Sequence, residues 1–265
     1  MHQIIFPGLG LEFNMSKIAF TLFGANVYWY ATFIVIAIIT SMIIFKIKDG
    51  TFGIKFNDIF DAAIYVFPIS ILSARLYYII FNNPGDIVNF FNFRTGGLAI
   101  YGGIIGGITT IYIFTKKRKI NLLDFLDYVA PILALGQCIG RWGNFINIEA
   151  YGKTTTLPWR MGIIESGNYI EVHPTFLYES IITLFLFILL TILTKNRKFS
   201  GQITYTYLFV YAFARFFIEN LRTDSLMLFN FRISGILSII ICVVICSFFT
   251  QKKIKEIKMK KNNNK

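Results

Sequence analysis

Residues 140–152 carry the densest group of chemically useful side chains in the sequence. An arginine, two asparagines and a glutamate lie among three glycines there: Arg141, Asn144, Asn147 and Glu149, with Gly140, Gly143 and Gly152. They follow an apolar run, residues 122–139, that has the length of a membrane helix. Polar groups at the edge of hydrocarbon are costly and usually face a bundle interior or a water-filled cavity. The pattern predicts a polar functional site, and the alternative is a polar loop that leaves a helix.

A second polar pattern has helical spacing. Tyr211, Arg215, Glu219 and Arg222 are separated by four, four and three residues, which places them on one face of a helix. Arginine binds phosphate and carboxylate through a planar, two-pronged set of donors. We expect Glu219 to hold Arg215 and Arg222 in place while both remain able to bind an anion.

A glycine-rich stretch, residues 96–107, contains Tyr101, Gly102 and Gly103. Small residues allow a neighbouring membrane helix to approach closely, and they equally allow a lipid to do so. Helix packing is the commoner use, so this stretch alone is weak evidence for a site. If the glycines open a crevice, Tyr101 lies at its edge.

Three other polar side chains each have two interpretations. Tyr30, near the start of the first apolar run, either joins an aromatic belt or turns its hydroxyl inward. Arg75 either snorkels to the interface or points inward. Glu179 follows His173 and Pro174 by about one turn and needs a partner such as arginine, in a structural or a functional ion pair.

The elements that must position these residues are membrane helices. The chain is 55% hydrophobic and 15% charged, whereas a soluble domain carries about 25% charge. We therefore predict an all-α integral membrane protein, a single transmembrane domain over residues 1–265 with a small outer-face head segment at 144–172. The seven predicted transmembrane helices cover residues 27–45, 58–81, 98–114, 122–139, 174–193, 203–218 and 233–249. Residues 1–20 are interpreted as an interfacial segment on the outer face.

The basic residues predict the orientation. Of the 26 lysines and arginines, 17 fall in alternate loops and in the tail, residues 251–265. The positive-inside rule makes that side cytoplasmic and leaves the N-terminus outside. Seven of the other nine are arginines, which indicates an anionic ligand reached from the outer leaflet. The net charge of +12 thus reflects topology and contact with the lipid bilayer, and we expect no nucleic-acid partner.

Several chemistries are disfavoured by the sequence. His2 and His173 are the only histidines, which disfavours a hydrolase with a Ser–His pair. The three cysteines, Cys138, Cys242 and Cys246, lie in apolar runs without metal-ligand spacing. We expect neither a metal nor an organic cofactor.

Taken together, the motifs resemble the bacterial prolipoprotein diacylglyceryl transferase family. Residues 140–152 look like its signature, and the glycine stretch, the His-Pro-Thr-x-Leu-Tyr-Glu run at 173–179 and the 211–222 stripe are similar in order and spacing. The resemblance covers about residues 30–224. It implies transfer of the diacylglyceryl group of phosphatidylglycerol to the lipobox cysteine of a preprolipoprotein signal peptide, with release of glycerol phosphate, in the bacterial cell membrane.

The resemblance also implies roles for individual residues. Arg141 and Arg215 would hold the departing phosphate and stabilise its charge, and Asn144, Asn147 and Glu149 would orient the headgroup or the arginines. The implied catalytic residues are Arg141, Arg215, Tyr101 and Glu149. The implied substrate-binding residues are Tyr30, Asn144, Asn147, Gly102, Gly103, Gly152, Tyr211, Glu219 and Arg222.

One residue departs from the family pattern. The family commonly has histidine where this chain has Tyr101. A tyrosine ordinarily titrates near pH ~10 and a histidine near ~6.5, so tyrosine is a poor base at neutral pH. We therefore expect Tyr101 to orient substrate through its hydroxyl, with a role as the base as the alternative.

Other classes of function stay open at this stage. An arginine-lined cavity among membrane helices also suits a transporter or a lipid-binding protein for anionic substrates. Transporters often consist of repeated halves with interrupted helices, and the sequence shows no convincing internal repeat.

Overall fold

The computed structural model describes residues 2–92, 96–165, 167–224, 227–228 and 231–263, and this part of the chain is mostly helical. Each predicted apolar run overlaps one of the α-helices found there. The helices are α1 Trp29–Ile47, α2 Phe56–Phe81, α3 Ile100–Arg118, α4 Leu122–Asn147, α5 Thr175–Lys195, α6 Gln202–Leu221 and α7 Ile233–Asn263.

Five of these helices are long and apolar enough to cross a membrane. They are α1, α2, α4, α5 and the Ile233–Lys252 part of α7. Within the described chain, α3 and α6 are not among them. α3 is rich in glycine and ends in Lys116, Lys117 and Arg118, and α6 carries Arg215 and Glu219.

Two helices run further than the sequence indicates. α4 ends at Asn147 rather than at Ile139, so Arg141 and Asn144 lie in its last two turns and not in a loop. α7 continues through residues 251–263 of the predicted tail. Glycine in a helix interior costs only about 1 kcal/mol, and both Gly140 and Gly143 are helical in α4.

The expectation of an all-α fold is wrong in one respect, because short strands occur as well. They are β1 His2–Phe6, β2 Leu11–Met15, β3 Ile18–Leu22, β4 Ala25–Tyr28, β5 Met161–Glu165, β6 Asn168–Val172, β7 Met227–Leu228 and β8 Phe231–Arg232. An antiparallel sheet has the order β2-β1-β5-β6, while β3 pairs with β4 and β7 with β8. The N-terminal strands therefore join a sheet with the segment that precedes α5.

The chain forms two compact units. The first combines the part up to Met42 with the part from Val129 onward, and the second is Ile43–Tyr128. In the first unit, Ile4 and Ile163 of the sheet are buried against Phe145 of α4 and Phe176 of α5. Further along α4 and α5, a second core packs Ala134 and Leu186 against Tyr207 of α6. These two cores fix the helices α4, α5 and α6 relative to the sheet.

In the second unit, α3 packs on α2 through glycines. A Cβ atom placed on Gly102 would collide with the Ser73 carbonyl oxygen and lie 2.5 Å from Cβ of Tyr77. One on Gly106 would lie 2.6 Å from Cβ of Ser73. In lipid, the hydrophobic effect does not drive two helices together. Their association depends on van der Waals contact, which close approach of the backbones provides.

A side chain at Gly102 should therefore loosen this helix pair. We expect Gly102→Ala to lower the free energy of unfolding by about 1–3 kcal/mol, because the added methyl meets main chain that cannot rotate away. Denaturant unfolding in detergent measures the change. Gly136→Ala is the control, since no atom of another described side chain or helix lies within 4 Å of its Cβ position in α4. Equal effects of the two substitutions would contradict the packing role.

Candidate functional site

Three helices of the first unit converge on one buried carboxylate, Glu179 of α5. Its Oε2 lies 2.5 Å from Nη2 of Arg141 on α4. Its Oε1 pairs with Nη1 of Arg215 on α6 and lies 3.7 Å from Nη1 of Arg222. The residue is only 3% exposed. Glu179 is thus the common partner of the three arginines that the sequence analysis selected.

The second buried carboxylate is Glu219, which is 1% exposed. Its Oε2 lies 2.6 Å from Nη2 of Arg215, one turn earlier on α6. Within the described chain, neither this oxygen nor Oε2 of Glu179 has a partner with hydrogen-bond geometry. Both oxygens nevertheless lie within ion-pair distance of a guanidinium nitrogen.

The rim of the cluster is formed by Arg222 and Asp224. Nε and Nη2 of Arg222 donate to the two carboxylate oxygens of Asp224 at 2.8 and 2.7 Å. Burial alone would raise the pKa of Asp224, but the hydrogen bond and charge of Arg222 outweigh it and lower this pKa. Nη1 of Arg232 donates to the main-chain carbonyls of Glu219 and Arg222.

Guanidiniums and carboxylates are in close contact in this group. Among the described residues, Arg141, Arg215 and Arg222 form ion pairs with Glu179, Glu219 and Asp224. The guanidiniums of Arg141, Arg215 and Arg222 are partly buried, where charge-assisted contacts are stronger than in water.

The end of α4 presents the remaining residues of the 140–152 motif. Nη1 of Arg141 donates to Oδ1 of Asn144 at 3.2 Å, and Nδ2 of Asn147 donates to Oε1 of Glu149 at 3.2 Å. Two main-chain hydrogen bonds close the helix. The N–H of Glu149 donates to the carbonyl of Asn144 at 3.0 Å, and the N–H of Ile148 donates to the carbonyl of Phe145 at 3.2 Å. This is a Schellman turn, in which the closing residue is left-handed.

Isoleucine occupies that left-handed position, where glycine is usual. Ile148 has a φ of 55°, and Ala150 has a φ of 57°. A left-handed non-glycine residue costs on the order of 1–3 kcal/mol and persists only where its surroundings enforce it. The strained backbone on both sides of Glu149 therefore fixes the direction in which this segment leaves α4.

Two aromatic residues of the predicted site lie against this constellation. The ring of Tyr30 covers Gly143, since a Cβ there would lie 2.6 Å from Cδ2 of the tyrosine. Tyr211 lines a small cavity together with Glu179 and Arg215, and its ring stacks on that of Tyr207 at 5.8 Å. The structure thus brings Tyr30 to the arginine-bearing end of α4 and Tyr211 to the cluster.

Gly152 lies at the junction between the sheet and α6. Its N donates to the His173 carbonyl at 3.0 Å, and it forms a bridge with Arg222. A Cβ atom there would lie 2.7 Å from Cβ of His173. Gly152 is therefore needed where the chain passes between α5 and Arg222.

The neighbouring Tyr151 is a structural anchor rather than an ionised group. Burial, with the hydrogen bond that its hydroxyl donates to Glu165, raises its pKa to about 12. Burial also lowers the pKa of His173, so this imidazole is neutral at pH 7.

Tyr101 lies in the second unit, at the start of α3. Its ring contacts that of Tyr77 at 6.5 Å between centroids, and its hydroxyl has no hydrogen-bond partner among the described residues. Gly102 is occupied by its contact with α2, whereas a Cβ on Gly103 would find its nearest neighbour at 3.6 Å. Of the two glycines, Gly103 is the one where a Cβ would meet its neighbours at ordinary van der Waals distances.

The loop that precedes Tyr101 is held by Arg75. This arginine is 1% exposed, and it donates to the carbonyls of Phe90, Gly96 and Gly97 at 3.2 to 3.3 Å. Arg75 therefore points inward and satisfies main-chain acceptors, an outcome that the sequence left open.

Comparison with known proteins identifies the family. The family model for prolipoprotein diacylglyceryl transferase matches residues 17–251. The chain belongs to this family. The phosphatidylglycerol–prolipoprotein diacylglyceryl transferase of Clostridioides difficile strain 630 is 45% identical over 246 residues, 91% of this chain and 98% of its own. That of Finegoldia magna is 43% identical over 249 residues, 91% and 97% of the two chains, and that of Enterococcus faecalis is 43% identical over 247 residues, 87% and 88%.

The predictions of the family and of a transferase are confirmed by these matches. This member of the diacylglyceryl transferase family has several apolar helices and is a multi-pass membrane protein. Glu179 is absent from the implied site residues, although the sequence indicated that it needs a partner such as arginine. Its one signal was a carboxylate within an otherwise apolar helix.

Proposed function

We propose that this protein transfers the diacylglyceryl group of phosphatidylglycerol to the thiol of a lipobox cysteine in a preprolipoprotein. The thiol loses its proton, because the thiolate is the nucleophile. The sulfur forms a bond to the terminal glyceryl carbon while the bond from that carbon to the phosphate oxygen breaks. Glycerol phosphate leaves with the bonding electrons and carries the new negative charge.

The observation that carries this proposal is the arginine cluster around Glu179. Arg141 and Arg215 contact opposite oxygens of one buried carboxylate, so their guanidiniums are fixed before any ligand arrives. Donors that are already oriented stabilise developing charge without reorganisation. In this mechanism both arginines bind the phosphodiester and stabilise the extra charge on the leaving glycerol phosphate.

The other residues bind or orient. Asn144 holds Arg141 through their hydrogen bond, and Asn147 and Glu149 offer polar groups to the glycerol headgroup. Glu219 orients Arg215. Tyr30, Gly152, Tyr211 and Arg222 border the lipid. Gly103 contributes to substrate binding, and Gly102 acts through the packing of α3 on α2.

One assay tests the function directly. Purified protein is incubated with phosphatidylglycerol and a synthetic lipobox peptide, and the peptide is analysed by mass spectrometry. We expect the mass of one diacylglyceryl group on the cysteine, and no gain on a peptide with serine at that position. A peptide that stays unmodified would contradict the proposal. Neither the comparisons nor the fold supports the alternative of a transporter.

We further propose that all seven helices span the membrane, with residues 144–172 on the outer side and residues 251–265 in the cytoplasm as a tail. The positions of 17 cations support this orientation. A C-terminal alkaline phosphatase fusion should be inactive, and a C-terminal fluorescent fusion should be bright. The reverse pattern would place Arg141 on the cytoplasmic side and contradict the proposed orientation. Nucleic acid has no role in this proposal.

Tyr101 orients substrate in this mechanism through its hydroxyl. Tyr101→Phe should therefore lower kcat without moving the pH optimum. If Tyr101 is the base instead, Tyr101→His should stay active and shift the rising limb of the pH–rate profile to lower pH, because histidine titrates several units below tyrosine. Full activity of Tyr101→Phe would contradict both roles and leave Tyr101 as a packing residue beside Gly102.

A further inference from the structure

An apolar groove of about 600 Å³ opens in the first unit beside the end of α4. Its walls come from β2, from Trp29 and Phe33 of α1, from Trp142 and Phe145 of α4, and from the start of α5. Among the described residues, none of the side chains that line it is charged. The groove therefore suits an uncharged, apolar ligand and not an anionic headgroup.

The groove adjoins the arginine cluster along α4. Trp142 and Phe145 line the groove, while Arg141 and Asn144, the residues just before each of them, belong to the cluster. Trp29 lines the groove, and the next residue, Tyr30, covers Gly143. A ligand in the groove therefore ends close to the place where the phosphate would be held.

One wall of the groove is an open strand edge. β2 is the terminal strand in the order β2-β1-β5-β6, and no strand in the described part of the chain pairs with its outer edge. The opposite edge of the sheet is closed, since Thr155 N donates to Glu171 O and His173 N donates to Lys153 O, each at 3.0 Å. The unpaired main-chain groups of an edge strand can form hydrogen bonds with an extended peptide, which then adds to the sheet as a further strand.

We propose that this groove binds the acceptor polypeptide as an extended strand paired with β2, its apolar side chains in the groove and its cysteine directed toward Arg141. The inference rests on the proposed function and adds the place and the conformation of the second substrate. An acyl chain would fill the same apolar volume, but it has no donor or acceptor for the edge of β2. A strand the length of β2 would engage about five residues, or roughly 17 Å of extended chain.

Backbone methylation of the acceptor provides the first test. Synthetic lipobox peptides carry one N-methyl group at each of five successive positions before the cysteine, and KM is measured with the unaltered protein. Pairing with β2 predicts that every second position raises the peptide KM by up to about tenfold, because alternate N–H groups face the strand. Equal effects at all positions, or none, would overturn the proposal.

A charge in the groove provides the second test. Leu11 lines the groove and is 48% exposed, so Leu11→Glu should fold normally. We expect its KM for the peptide to rise about tenfold or more while the KM for phosphatidylglycerol stays the same. The control is Leu22→Glu, at a 52% exposed strand position outside the groove.

The outcomes separate the two hypotheses. A rise in the KM for phosphatidylglycerol with an unchanged peptide KM would mean that the groove holds an acyl chain, and the inference would be wrong. A failure of the unaltered protein to modify the unmethylated peptide would instead contradict the proposed function itself.

Discussion

Arg141→Lys is expected to lower kcat about a hundredfold in a protein that remains folded. Lysine keeps the positive charge but not the planar pair of donors that can hold a phosphate and Glu179 together. Loss of one oriented contact to a developing anion raises the barrier by roughly 3 kcal/mol, which corresponds to that factor. Turnover of phosphatidylglycerol with a saturating peptide measures the effect.

The matched control is Arg118→Lys. Arg118 also pairs with a carboxylate, at 2.5 Å from Asp61, but both side chains are well exposed. Exposed ion pairs are worth only about 0–1 kcal/mol, so this variant should keep its activity. Near-normal turnover by a folded Arg141→Lys protein would show that Arg141 does not bind the leaving phosphate.

The second large effect is expected at Glu179. Glu179→Gln removes the charge that three guanidiniums share, and breaking a buried pair on one side costs about 3–5 kcal/mol of stability. We also expect kcat to fall about tenfold or more, because the arginines lose their common anchor. The KM for phosphatidylglycerol should not rise, since the cluster becomes more positive.

This split between kcat and KM separates orientation of the arginines from simple support of the fold. Denaturant unfolding in detergent gives the stability, and steady-state kinetics at a permissive temperature give the two constants. Asp61→Asn is the control, as it removes a carboxylate from an exposed pair. An unchanged kcat in Glu179→Gln would show that the arginines do not depend on this carboxylate for their catalytic geometry.

The sequence predicts the helices and selects the three arginines that lie near Glu179, for a physical reason. Apolar runs of membrane length and charges at helical spacing are local patterns, so they can be recognised without tertiary information. The partner of the arginines is not local. Periodicity selects Glu219, which lies one turn from Arg215, whereas the central carboxylate, Glu179, comes from another helix.

The end of α4 and the strands were harder to predict. Gly140 and Gly143 look like helix breakers, yet Gly143 is helical and makes room for Tyr30. β1 and β5 are five residues each, and they pair across more than 150 positions of sequence. Strands this short depend on partners that are distant in the chain, so their own residues give little signal.

The composition of α3 and α6 has a consequence for the synthesis of the protein. These helices carry Tyr101 and Arg215. They are 19 and 20 residues long, but among the described helices they are the two that are not apolar enough to cross a membrane alone. An arginine at the centre of a segment opposes its insertion by the translocon by roughly 2.5–3.5 kcal/mol. In the seven-span arrangement that we propose, α3 must enter the bilayer with α2, to which its glycines fit, and α6 with α5, whose Glu179 neutralises Arg215. The ion pair of Arg215 with Glu179 would then serve both the insertion of α6 and the arginine cluster.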